Sequence, residues 1–265
     1  RIIAWSENTA KIQRDFLSEF SSDLTEAILP KLTILAPPQA PLINNVIPKT
    51  YNKEKPIRFI FVGAGFFRKG GREILNSFEK LIKLEKLSLQ LILVSRLRLE
   101  HYAAHETEDD IHWAKEKMTA NQDWIEHYEV IPNHQVLELL KTCDIGLLPT
   151  YADTYGLSVL EAQASGLPVI STDIRALPEI NNTDVGWMIN VPKNDLGEAH
   201  YQTPEERAVL SERIQSGLEH IIRAIAQDPT VIAKKGQAAL EKIRTEHDPV
   251  QYGEALRDIY ELAIR

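Results

Sequence analysis

Hydrophobic residues recur along most of this 265-residue chain in short runs, with amphipathic stretches between them. Short apolar runs bounded by turn residues are typical of buried strands, whereas apolar spacing of three to four residues is typical of helices. Their alternation predicts an α/β fold, a doubly wound, parallel six-stranded Rossmann-like sheet with helices on both faces. The predicted strands are Phe59–Val62, Leu89–Val94, Tyr128–Ile131, Ile145–Leu148, Pro168–Ser171 and Trp187–Ile189.

Helical periodicity is clearest over residues 72–87, and the chain is helical in pattern again after residue 200. The later stretches predict a helical C-terminal region over 204–226, 229–245 and 249–264. The charged stretch 97–126 predicts an exposed helical excursion. One apolar stripe after residue 204 predicts packing on the sheet or on a partner domain, and it consists of Leu210, Ile214, Leu218, Ile221, Ile222 and Ile225.

The first 36 residues have a pattern of their own. Two short apolar runs, Ile2–Trp5 and Leu32–Ala36, predict strands, and Ser6 is expected to cap the helix between them. A strand–helix–strand unit of residues 1–36 is too small to fold alone. The proline-rich stretch 37–56 predicts a linker, and residues 57–265 form the predicted main domain. Because the chain begins with Arg1, we expect a truncated form of a longer protein.

Composition excludes several classes of partner and site. The net charge of −8 and the pI near 5.6 argue against a nucleic-acid partner. Cys143 is the one cysteine, which leaves no disulfide framework and no cysteine-built zinc site, and the histidines lack metal-ligand spacing. With no signal-peptide pattern and no apolar run of about 20 residues, we expect a cytoplasmic protein.

The first candidate motif is the glycine-rich loop after the 59–62 strand. Glycines let a backbone approach a ligand closely, the following helix offers N–H groups to an anion, and Lys69 adds a positive charge. One alternative is a plain strand-to-helix turn with a solvated Arg68–Lys69 pair. Another is a dinucleotide site, because Gly63-x-Gly65 matches half of that fingerprint, although Arg68 occupies the position of its third glycine.

The second motif follows the 145–148 strand and carries two carboxylates eight residues apart. Asp153 lies in a loop, and Glu161 lies four residues into a helix predicted to start near Leu157. The N–H groups at that helix start carry about half a positive charge and, with Lys69, can hold a diphosphate. Two hydroxylated rings can then reach the two carboxylates, as in a nucleotide sugar. The alternative makes Asp153 a loop cap and Glu161 a solvated helix residue.

Together these motifs resemble the nucleotide-sugar-binding half of retaining glycosyltransferases built from two facing Rossmann-like domains, the glycosyl transferases group 1 family. The resemblance covers about residues 58–190. It is carried by Asp153, Tyr155-Gly156-Leu157, Glu161-Ala162, Ser165-Gly166-Leu167-Pro168-Val169-Ile170, Leu177-Pro178-Glu179-Ile180 before Gly186-Trp187, Cys143-Asp144-Ile145 leading to Leu148-Pro149-Thr150, and Phe61-Val62-Gly63 with Lys69-Gly70.

The resemblance implies a nucleotide diphosphate sugar as donor substrate, an unknown acceptor, transfer with retention, no cofactor and no obligatory metal. It also implies that residues 1–36 are the remnant of an N-terminal acceptor-binding domain, through which any membrane contact would occur. Asp153 and Lys69 are the expected catalytic residues. The expected substrate-binding residues are Gly63, Ala64, Gly65, Arg68, Lys69, Ile131, Asp153, Thr154, Tyr155, Gly156, Leu157, Ser158 and Glu161.

Two positions depart from the family pattern. Asp153 stands where the family usually has a glutamate, and Ala64 stands where it often has an arginine. Arg68 is then the candidate for the second phosphate-binding cation. Two alternatives to a transferase stay open, a nucleotide-sugar epimerase of the same architecture and a non-catalytic nucleotide-sugar-binding module.

Overall fold

The computed structural model describes residues 1–20 and 22–264. The N-terminal unit is a small parallel βαβ arrangement in which the first and last strands pair directly. The predicted Ser6 cap is confirmed, because the Ser6 hydroxyl accepts a hydrogen bond from the Thr9 N–H at 2.9 Å. The elements of this unit are β1 (Ile2–Ala4), α1 (Glu7–Ser18), α2 (Ser22–Ile28), a single 3-10 turn (Leu29–Lys31) and β2 (Leu32–Ile34).

A six-stranded parallel sheet forms the centre of the main domain, which confirms the predicted fold class. The strands are β3 (Ile57–Val62), β4 (Leu89–Val94), β5 (Ile125–Tyr128), β6 (Ile145–Leu148), β7 (Val169–Thr172) and β8 (Trp187–Ile189). Their order in the sheet is β5-β4-β3-β6-β7-β8, so the chain moves outward from β3 in one direction and then returns to build the other half. The strand β3 is buried on both faces, as Phe59, Ile60 and Phe61 show.

Helices cover both faces of this sheet, as right-handed crossovers in two opposite directions require. The helices are α3 (Gly71–Lys83), α4 (Glu108–Ala120), α5 (Asn133–Thr142), α6 (Leu157–Ala164), α7 (Leu177–Ile180), α8 (Pro204–Gln227), α9 (Thr230–Glu246) and α10 (Pro249–Ile264). The last three confirm the helical C-terminal region. The apolar stripe of α8 is buried against α3 and β8, and α9 packs on α6.

Two predictions about the middle of the chain were wrong. The strand expected at Tyr128–Ile131 is β5, which begins three residues earlier because Ile125 enters the core, while Val130 is exposed in the next loop. The stretch 97–126 is not an exposed excursion. Its helix α4 buries Ile111, Ala114 and Met118, so the charges of this helix lie on its other side.

Residues 37–56 contain no helix or strand, and they follow the surface of the main domain. The Leu42 N–H donates to the Ala164 carbonyl at 2.8 Å, and the Lys49 ammonium lies 2.7 Å from the Asp144 carboxylate. The Gln39 N–H donates to the His247 carbonyl at 2.8 Å. Across the described part of the chain, none of the helices has both the length and the apolar character to cross a bilayer.

Candidate functional site

Two loops meet where the strand order of the sheet reverses, between β3 and β6. The first follows β3 and leads into α3, and the second follows β6 and leads into α6. In open parallel sheets this switch point, at the carboxyl ends of the strands, leaves a crevice in which ligands bind. The two candidate motifs therefore lie side by side, although more than 80 residues separate them in the sequence.

The first loop is closed by a turn that requires glycine. Gly70 has a φ of +85° and caps α3, and a Cβ at this position would collide with the Pro149 carbonyl oxygen of the second loop. The Lys69 N–H donates to the Gly65 carbonyl at 2.9 Å, so the lysine lies at the end of a tight turn. Its side chain runs across Gly63, because a Cβ at Gly63 would meet the Lys69 methylenes.

The second loop is closed in a similar way. Gly156 has a φ of +90° and caps α6, where the N–H groups of Leu157 and Ser158 have no acceptor in a preceding turn. The Asp153 carboxylate accepts a hydrogen bond from the Tyr155 N–H at 3.3 Å. Asp153 is thus a loop cap, as the simpler alternative expects, but the same carboxylate also faces the first loop.

Lys69 joins the two motifs. Its ammonium lies 3.2 Å from the Asp153 Oδ2, and both side chains are largely shielded, with 15% and 13% of their surface exposed. Burial raises the pKa of the Glu161 carboxyl, and the positive charge of Lys69 acts in the opposite direction. One cation therefore pairs with Asp153 and acts electrostatically on Glu161, and the loop of Asp153 leads into the positive end of α6. This arrangement can bind a polyanion that also carries hydroxyl groups.

Arg68 does not extend freely toward a ligand. Its Nε donates to the Glu100 carboxylate at 2.9 Å, and its Nη1 donates to the Ala152 carbonyl at 2.8 Å. A Cβ at Gly65 would collide with that Glu100 carboxylate. The sequence gives no sign of Glu100, which lies in the loop after β4 and outside any motif.

The other predicted residues differ in how they face the site. The Tyr155 ring is buried and packs edge-on against Trp5 of the N-terminal unit, with ring centroids 5.8 Å apart. The Ser158 hydroxyl is buried and has no hydrogen-bond partner. Ile131 is half-buried against the core just beyond the carboxyl end of β5. Ala64, Thr154 and Leu157 are exposed.

A groove lies at the opposite end of the sheet, beside the amino ends of β3, β4 and β6. It measures about 600 Å³ and is lined by Lys49, Tyr51 and Arg58 around Asp144. These polar groups bind one another, since Asp144 accepts hydrogen bonds from the Lys49 ammonium and the Arg58 N–H. We therefore attribute these contacts to anchoring of the 37–56 segment. Among the described residues, no three His, Cys, Asp or Glu side chains are grouped as metal ligands.

Comparison with known proteins agrees with this geometry. Residues 43–200 match the family model described as glycosyl transferases group 1. The chain is 25% identical over 141 residues to the O-antigen chain mannosyltransferase B of Escherichia coli, covering 53% of this chain and 35% of that protein. It is 21% identical over 279 residues to the alpha-maltose-1-phosphate synthase of Mycolicibacterium smegmatis, covering 98% of this chain and 66% of the relative.

Solved structures show the same fold. Sucrose-phosphate synthase from Thermosynechococcus elongatus superposes with a TM-score of 0.70 at 15% identity, over 99% of this chain and 58% of that one. Anabaena HepE in complex with UDP and glucose superposes with a TM-score of 0.64 at 13% identity, over 97% of this chain and 67% of that one. The chain thus spans only part of the length of these proteins.

Proposed function

The chain belongs to the glycosyl transferases group 1 family, and from this premise we propose that it supplies the donor-binding half of a transferase that uses a nucleotide diphosphate sugar. One observation carries the proposal. At the switch point of the sheet, Lys69 of the loop after β3 pairs with Asp153 of the loop that leads into the amino end of α6. The solved relative in complex with UDP and glucose agrees with this class of ligand.

In the proposed complex, the diphosphate binds to Lys69 and to the free N–H groups at the start of α6. A diphosphate carries more charge than the Asp153 carboxylate and can therefore displace it from the ammonium. Asp153 then holds sugar hydroxyls, Glu161 holds the ribose hydroxyls, and the backbone at residues 130–132 contacts the base edge. Glu161 is partly shielded and has the acceptor oxygens that such hydroxyls need.

Transfer breaks the bond between the anomeric carbon and a diphosphate oxygen and forms a bond from that carbon to the acceptor, so negative charge grows on the departing diphosphate. Lys69 and the dipole of α6 are preorganised at that place and stabilise the charge as it develops. We propose that this replaces a metal ion, and that transfer occurs with retention. We propose that the N-terminal unit of residues 1–36, whose Trp5 packs on Tyr155, belongs to the acceptor side of the site.

The proposal is tested by calorimetric titration with UDP, GDP, ADP and their common sugar conjugates, and with NAD and NADP. We expect one nucleoside diphosphate and its conjugates to bind in the presence of EDTA. Lys69→Ala is expected to weaken that binding by tenfold or more, because a charge-assisted contact is lost. Glu161→Ala is expected to weaken binding of the same ligands through the ribose.

Lys83→Ala is the matched control, because Lys83 lies on α3 and pairs with Glu79 at 3.0 Å, far from α6. It should leave affinity unchanged. If NAD binds and no nucleoside diphosphate does, the proposal is wrong and the site binds a dinucleotide. If the Lys69→Ala variant binds the nucleoside diphosphate as tightly as the wild type, Lys69 does not contact the ligand. Product analysis with the full-length protein separates a transferase from an epimerase.

A further inference from the structure

A buried carboxyl group lies directly beneath the loop that carries Asp153. Glu73 is in the first turn of α3, three residues after the Gly70 cap, and only 1% of its surface is exposed. Helix positions of this kind usually place a glutamate in solvent, where it interacts with the positive helix end. Here the side chain points inward instead, between α3, α8 and the loop after β6.

Two hydroxyl groups from distant parts of the chain bind the same oxygen of this carboxyl. The Tyr151 hydroxyl donates to Glu73 Oε1 at 2.8 Å, and the Ser211 hydroxyl of α8 donates to it at 2.6 Å. The second oxygen, Oε2, is buried without a partner. Burial raises the pKa of Glu73, while the two hydroxyls and the charge of Arg72 oppose that shift.

Tyr151 connects Glu73 to the two loops of the candidate site. Its N–H donates to the Arg68 carbonyl at 2.9 Å, so the tyrosine is fixed at its backbone and at its hydroxyl. Arg68 is followed directly by Lys69, and Tyr151 precedes Asp153 by two residues. Tyr151 therefore helps to set the separation between Lys69 and Asp153, beside the Thr150 hydroxyl, which donates to the same Arg68 carbonyl at 3.2 Å.

We propose that Glu73 is a positioning residue for the donor site: through Oε1 it holds Tyr151 and thereby places the Asp153 carboxylate opposite Lys69. This role rests on the proposed function, in which Asp153 contacts the sugar. Displacing Asp153 should weaken binding of a nucleotide sugar more than binding of the free nucleoside diphosphate. The readout is therefore the dissociation constant of the nucleotide sugar divided by that of the nucleoside diphosphate. A general loss of stability does not change this ratio.

The test compares Glu73→Leu, Glu73→Gln and Tyr151→Phe by calorimetry, with the nucleoside diphosphate and the sugar conjugate that the wild type binds. Glu73→Leu and Tyr151→Phe should each raise the ratio about three- to tenfold, the range expected for one lost hydrogen bond. The double variant should add nothing further. Glu73→Gln keeps an acceptor oxygen in place of Oε1 and should restore the wild-type ratio.

Glu219→Leu is the matched control, because Glu219 is another largely buried glutamate between α3 and α8, bound to the Lys80 ammonium at 2.6 Å. It should lower the melting temperature and leave the ratio unchanged. If Glu73→Leu and Tyr151→Phe behave as Glu219→Leu does, Glu73 is purely structural and the proposal is wrong.

A second measurement separates this proposal from the proposed function. Hydrogen exchange of the peptide covering residues 149–156 should be faster in Glu73→Leu and Tyr151→Phe than in wild type, Glu73→Gln and Glu219→Leu. This result is expected even if no nucleotide of the panel binds, in which case the proposed function fails and the positioning of the loop stands. Unchanged exchange in both variants would overturn the positioning role.

Discussion

The Lys69 ammonium and the Asp153 carboxylate form an ion pair of 3.2 Å across two loops that are 84 residues apart in sequence. In the proposed complex the same lysine binds a diphosphate, so Asp153 competes with that ligand. The competition depends on the charge of Asp153, whereas the contact with a sugar hydroxyl depends on its acceptor oxygens. The nucleoside diphosphate and its sugar conjugate should therefore respond differently to one substitution at Asp153.

Asp153→Asn should tighten binding of the free nucleoside diphosphate about fivefold or more, because exposed ion pairs contribute up to about 1 kcal/mol and this pair is largely shielded. Binding of the sugar conjugate should not tighten, because the charged acceptor for sugar hydroxyls is lost. Asp173→Asn is the control, since Asp173 also binds a lysine, Lys193, and a backbone N–H, that of Val191. Calorimetry measures both ligands, and tighter binding of both would contradict a sugar contact at Asp153.

Glu100 should lower the affinity for phosphate, because it binds Arg68. Glu100→Gln removes the opposing charge, so Arg68 becomes available and affinity for the nucleoside diphosphate should rise severalfold. Arg68→Ala should abolish that gain in the double variant. Glu79→Gln, which alters an acid bound to Lys83 and Lys117, serves as the control and should have no effect. An unchanged affinity in Glu100→Gln would mean that Arg68 only joins the two loops.

Gly70 should tolerate no side chain, for two separate reasons. Its φ of +85° costs a non-glycine residue about 1–2 kcal/mol, and a Cβ would also collide with the Pro149 carbonyl. Gly70→Ala should therefore lower the free energy of unfolding by more than that amount. Gly253→Ala should instead raise it by about 0.5–1 kcal/mol, because Gly253 lies inside α10 with open space around it. Chemical denaturation of both variants checks the contrast.

His247 should make stability depend on pH near neutrality. The ring is buried at the end of α9, and its Nδ1 lies 2.8 Å from the Pro37 carbonyl. Burial lowers the pKa of His247 below its ordinary value of 6.5. The unfolded chain therefore binds a proton more readily than the folded chain does, and stability should fall as the pH drops below 6.5 toward the folded pKa.

His247→Gln should remove that loss, while retaining a side-chain N–H that can donate to Pro37. His112→Gln is the control, because His112 is largely exposed on α4 and should leave the pH dependence of the wild type intact. Urea denaturation between pH 5 and pH 8 measures the difference. A wild type whose stability is flat over this range would show that the ring accepts a proton without cost.

The sequence by itself determined the fold class, most of the strand positions and the two loops that carry Lys69 and Asp153. These features depend on local signals, namely apolar periodicity and the glycines that end each turn. β5 was misplaced because Val130 and Ile131 look like strand residues, whereas Ile125 enters the core. Apolar character alone cannot decide which of two neighbouring runs the sheet will bury.

Only the tertiary structure decided which polar groups meet. Arg68 lies 32 residues from Glu100, and Glu73 lies 78 residues from Tyr151 and 138 residues from Ser211. No spacing rule links such positions, because their contact depends on how helices and loops pack across the sheet. The same holds for Tyr155, which the sequence predicts as a ligand contact and the structure packs against Trp5. Local sequence patterns locate the loops. Packing between distant segments determines which partners the side chains of these loops bind and which side chains are left to contact a ligand.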